Sequence, residues 1–144
     1  MINNDIINDI SLAQKEILKS NISIVVVKNN IILAKKNGDG LKPLLELINE
    51  LGNNINDSII GDKILGKASA LLCVYAKAKG VYSPQSTVKA IAILLKNNIP
   101  SQIDKIIPFI KNRLGDDICP FEKMINNVES ANEAYKILEK NIMK

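Results

Sequence analysis

Residues 57–76 read Asp57-Ser58-Ile59-Ile60-Gly61-Asp62-Lys63-Ile64-Leu65-Gly66-Lys67-Ala68-Ser69-Ala70-Leu71-Leu72-Cys73-Val74-Tyr75-Ala76. A short apolar strand runs into a turn marked by Gly61 and Gly66, then into a helix that is apolar on nearly every face. A helix of that kind is buried, which places this stretch at the centre of an α/β domain. The first turn of the helix holds Gly66, Lys67, Ala68 and Ser69. Small residues there admit another backbone or a ligand, and the first-turn N–H groups form an anion site.

Upstream, Ile6, Ile10, Ala13 and Ile17 recur at helical spacing and predict a helix over 5–20, capped by Asn3, Asn4 or Asp5. The β-branched run Ile22 to Val27 predicts a buried strand. Asn29-Asn30 then makes a two-residue turn into a second strand, Ile31 to Lys35. Leu41 to Leu51 predicts a helix with Pro43 in its first turn and Gly52 past its end. Downstream, the central helix is expected to end at Gly80, before a short strand 81–83 and a turn opened by Pro84. Ser86 then caps a helix over 87–96. Pro100 and Pro108 bracket an edge strand near 102–107. Pro120 opens a short helix, and Ser130-Ala131-Asn132-Glu133 is a capping box for a last helix over 131–142. Strands alternating with helices after one hairpin predict a mixed five-stranded sheet with helices on both faces.

At 144 residues the chain is expected to be a single domain, 1–144. Apolar residues at 47% and charged residues at 24% suit a globular fold without a membrane span. The polar, acidic start lacks a secretory signal, and two cysteines without framework spacing point to the cytoplasm. The net charge of +4 is scattered and aromatics make up only 3%, which argues against nucleic acid as a partner. There is no histidine, so the commonest metal ligand and general base are both missing.

Gly61-x-x-x-x-Gly66-Lys67-Ala68 approaches a phosphate-binding loop, with a strand before it and a helix after it. Ala68 lacks the hydroxyl that magnesium needs, and Ser69 comes one residue late. What survives is electrostatic. Lys67 at a helix start is unfavourable by a few tenths to about 1 kcal/mol unless an anion is close. Lys63 adds charge to the same turn. A solvated pair of lysines over a merely structural turn is the competing reading.

Cys119 precedes Pro120 at a helix start, where a thiolate is stabilised; it is the candidate nucleophile, with a structural turn cysteine as the alternative. Cys73 lies in the apolar helix and reads as core. Arg113 follows a strand end, where α/β ligand sites sit, though a plain surface arginine fits equally.

Four stretches together resemble an uncharacterised prokaryotic domain-of-unknown-function family grouped with the cytidine-deaminase-like superfamily. They are Ile24-Val25-Val26-Val27-Lys28, Gly40-Leu41-Lys42-Pro43-Leu44-Leu45-Glu46-Leu47, the run from Asp62 to Leu72, and Cys119-Pro120-Phe121-Glu122-Lys123. The resemblance spans nearly the whole chain and implies a three-layer α/β/α sandwich. Working deaminases hold zinc between two helix starts. One carries His or Cys, then Ala, then a catalytic Glu, and the matching start here is Gly40-Leu41-Lys42. The other carries Pro-Cys-x-x-Cys, and the matching turn here is near Leu65-Gly66-Lys67-Ala68-Ser69. The resemblance therefore implies a domain without metal or other cofactor, unable to deaminate by the zinc mechanism.

The expected site is a positive turn formed by Asp62, Lys63, Gly66, Lys67 and Ser69, with Lys42, Arg113 and Cys119 as further candidates. Its expected partner is an anionic small molecule, a nucleotide or sugar phosphate, taken by an enzyme using Cys119 or by a sensor. The alternative is a non-catalytic structural module with a vestigial pocket that self-associates into a homo-oligomer.

Overall fold

The computed structural model describes residues 3–143. Helix α1 (Asn4–Ser20) precedes a hairpin of β1 (Ile24–Lys28) and β2 (Ile31–Lys36). Then follow α2 (Lys42–Leu51), a 3-10 turn (Gly52–Ile55), β3 (Ile59–Asp62), α3 (Lys67–Tyr75), β4 (Gly80–Thr87) and α4 (Val88–Lys96). The chain closes with β5 (Ser101–Ile107), α5 (Pro120–Met124) and α6 (Ala131–Ile142). One sheet joins the strands in the order β2-β1-β3-β4-β5. β1 is antiparallel to β2 and β3, while β3, β4 and β5 are parallel. The mixed five-stranded sheet expected from the pattern is the architecture observed.

Alternation along the strands divides the interior. Val25, Val27, Ile59 and Tyr82 face α1, where Ile6, Ile10, Ala13 and Ile17 cover them. Ile24, Val26, Ile60 and Val81 face the other way, into a larger core with α2, α3, α4 and α6. α3 lies in that core and has seven buried residues from Lys67 to Cys73, as an all-apolar helix must. The ends of the elements follow local chemistry. The Asn3 side chain accepts the Ile6 N–H at 2.9 Å and caps α1. Asn29 and Asn30, at φ 51° and 64°, form the whole hairpin turn, since Lys28 pairs with Ile31.

Three expectations need correction. α3 stops at Tyr75, because Lys77 turns left-handed at φ 57° and the Ala78 N–H bonds back to the Cys73 carbonyl; Gly80 opens β4 instead of ending the helix. Pro84 opens no turn: β4 runs through it to Thr87. The pairing of β3 with β4 ends at Tyr82, and Leu65 rejoins that edge only at Gln85 and Thr87, so Pro84 falls in the gap where no N–H is needed. Thr87, not Ser86, caps α4, its hydroxyl accepting the Ala90 N–H. Among the described residues no helix is long and apolar enough to cross a membrane.

Candidate functional site

The two glycines of the central stretch have separate roles. Gly61 lies inside β3, and a Cβ there would sit 2.7 Å from Val25 Cγ1 and 3.3 Å from Ala13 Cβ. Its missing side chain lets α1 lie on the sheet, so it belongs to no phosphate loop. Gly66 precedes α3 in an extended conformation, φ −115°. A Cβ there would collide with Ile110 Cδ1 and come within 2.5 Å of Glu122 Oε1. The smallness of this turn thus admits part of the chain itself.

Glu122 reaches the start of α3 from α5. Its Oε1 accepts the Lys67 N–H at 2.9 Å and its Oε2 the Ala68 N–H at 2.8 Å. Ser69 Oγ accepts the Gly66 N–H at 3.0 Å. The first N–H groups of the helix are therefore satisfied by a carboxylate and a hydroxyl, and the carboxylate stands at the positive end of the dipole. This is the anion that a lysine in the first turn calls for.

Lys67 itself points elsewhere. Only 6% exposed, it donates from Nζ to the Asn126 carbonyl at 2.8 Å and pairs with Glu129 at 3.4 Å. Its aliphatic stem is buried and its charge is held by the segment after α5.

Asp62 ends β3 on the α3 side. Burial pushes its carboxyl up to about 7, against the Ile64 N–H and the Ser69 hydroxyl, which pull it down. Burial first, and then the charge of Asp62, drive the Cys73 thiol well above its ordinary value, so Cys73 is inert core as its setting in the sequence suggested.

The pattern of the family described as a domain of unknown function, DUF1893, matches residues 12–142. The chain belongs to that family. A solved DUF1893 family protein from Thermotoga maritima superposes with a TM-score of 0.86 at 23% identity, over 99% of this chain and 93% of that one. Two crystal forms of RibD from Acinetobacter baumannii align with a TM-score of 0.45 at 17% and 18% identity, over 67% of this chain and 33% of RibD. No curated protein matches the chain in sequence.

In this DUF1893 chain the candidates divide into two groups. Asp62, Gly66, Lys67 and Ser69 gather around the start of α3. Lys63 is exposed and donates to Asn21 Oδ1. Lys42 is exposed at the first position of α2, and Arg113 meets Asp39 at 3.6 Å with both side chains in solvent. Cys119 is half-buried at the start of α5, which is only five residues long, and its N–H donates to the Ile110 carbonyl at 2.7 Å. Among the described residues no group of three or more His, Cys, Asp or Glu could hold a metal. Two surface hollows lie along α1, one of them reaching the β1–β2 turn, and neither is lined by residues of this turn. Sequence reasoning missed Glu122 as the group that meets the helix. The available signal was the demand of Gly66-Lys67-Ala68 for an anion, but its partner lies 54 and 55 residues further on.

Proposed function

We propose that this DUF1893 domain binds a small molecule by its carboxylate or phosphate at the start of α3, where the anion takes the place of Glu122. One observation carries this reading: a single carboxylate takes two successive N–H groups at the positive end of a central helix. A phosphate oxygen pair makes the same demand, and the absent Cβ of Gly66 gives it the space that Glu122 would vacate. A nucleotide or sugar phosphate is the leading class. Asp62 and Ser69 shape the turn, and Lys67 secures the segment beside it instead of contacting the ligand.

The resemblance to cytidine-deaminase-like domains would put zinc at this turn. The residues present do not fit it, since Leu65 to Ser69 offers neither thiolate nor imidazole and its N–H groups call for an anion. The reading is therefore of recognition without zinc hydrolysis.

A second reading, a non-catalytic structural module with a closed pocket, is favoured by Ile110 and Glu122 filling the space over Gly66. Thermal melts in anion-free buffer with nucleotides and sugar phosphates separate the two. A ligand at about 100 times its Kd adds roughly 2.7 kcal/mol, a rise in Tm of about 5 °C or more. A flat screen would leave the structural module standing.

A further inference from the structure

We infer that residues 108–124 form a strap that opens while the rest of the domain stays folded, and that the Glu122 carboxylate is its latch. No residue from 108 to 124 is buried, and α5 reaches the edge of the core only through half-buried Phe121. The hydrogen bonds of the strap are mostly its own. The Asn112 N–H bonds to the Asp117 carbonyl and the Cys119 N–H to the Ile110 carbonyl, Lys111 bridges Ile118, and Lys123 pairs with Asp117.

Only two polar links to earlier parts of the chain are found among the described residues. One is the exposed pair Arg113–Asp39, whose geometry contributes little. The other is Glu122 on the two N–H groups of α3, a charge-assisted contact worth several times more. Ile110 against Gly66 and half-buried Phe121 complete the closure. Both ends are fixed: Ile107 is the last paired residue of β5, and beyond the strap Ile125 is buried while Asn126 is held by Lys67 and Lys89. Pro108 and Met124 are the positions at which such a strap would swing. Opening bares the Lys67 and Ala68 N–H groups. The inference needs no ligand and stands or falls apart from the reading above.

Native-state amide hydrogen exchange with increasing urea, below the unfolding transition, tests it. A local opening exposes little surface and so responds weakly to urea, whereas global unfolding responds steeply. The expected result is exchange at Lys67 and Ala68 that is nearly independent of urea, while Val26 and Ile60 exchange only with steep urea dependence. Glu122→Gln, which gives one of the two N–H groups an uncharged acceptor and leaves the other facing an NH2 donor, should speed Lys67 and Ala68 roughly tenfold and keep them insensitive to urea. Exchange at Lys67 and Ala68 that follows urea as steeply as at Val26 and Ile60 would overturn the strap. Unchanged exchange at both positions in Glu122→Gln would overturn the latch.

Discussion

Asp62 is a carboxylate that β3 turns into the apolar side of α3 at 8% exposure. In the unfolded chain it titrates near 3.8, and in the fold near 7, because burial opposes its charge. The folded state therefore holds the proton more tightly. The stability of this group is complete below the unfolded value and is lost as pH rises through the folded one. The loss develops between those two values and is on the order of 2–4 kcal/mol. Asp62→Asn keeps an acceptor for the Ile64 N–H and carries no charge. The variant should gain on the wild type steadily from about pH 4 to about pH 7, and be the more stable protein at about pH 8. Urea denaturation of both proteins across that range is the check, and curves that move in parallel with pH would contradict it. Asp62 could be picked out from sequence as part of the turn, but not as a buried acid, since only the packing of α3 over the end of β3 determines its burial.

At the scale of elements, α3 decides what Lys67 is for. The macrodipole alone says that removing a cation from the first turn stabilises the helix by a few tenths to about 1 kcal/mol, and alanine adds helix propensity. Against this stand the bond from Nζ to the Asn126 carbonyl, the Glu129 pair and a buried aliphatic stem. Losing a hydrogen bond from a charged donor, with the carbonyl left short of a partner, costs about 1–3 kcal/mol. The second effect is larger, so Lys67→Ala should lower stability by about 1–2 kcal/mol in chemical denaturation. A stabilised variant would show that Asn126 and Glu129 contribute nothing. The elements themselves were legible where their signals are local: the stripe of Ile6, Ile10, Ala13 and Ile17, the Asn29-Asn30 turn, the Ser130 cap and Pro120 at a helix start. They were misread where a neighbour overrides propensity. Tyr75 ends α3 although Ala76 to Lys79 are adequate helix formers, because the chain must turn at Lys77 to enter β4 beside β3. Pro84 survives in a strand because β3 has already left that edge.

Across the whole molecule, the large core is finished by the C-terminal helix. α6 lies over α3: the Tyr75 and Tyr135 rings stack at 4.1 Å, Ala134 and Leu138 are fully buried, and Asn49 of α2 meets both Tyr135 and Glu139. This closure, like the reach of Glu122, joins residues that no periodicity connects, which is why the fold could be read from the chain but the interior of the site could not. It also separates two kinds of C-terminal contact. Residues 108–124 hold no fully buried side chain, whereas α6 shares the core with α2 and α3. Leu138→Ala removes a buried side chain from that shared core and should cost about 2–4 kcal/mol. Because α6 closes over a helix that itself lies on the sheet, the loss should appear in one cooperative step. Far-UV circular dichroism reports the helices and sheet, and tyrosine fluorescence reports the stacked pair together with buried Tyr82. In the variant the two should still unfold at a single, lowered urea midpoint. Tyrosine fluorescence changing ahead of the circular dichroism would mean that α6 detaches from a core stable without it, and α6 would then belong with the strap.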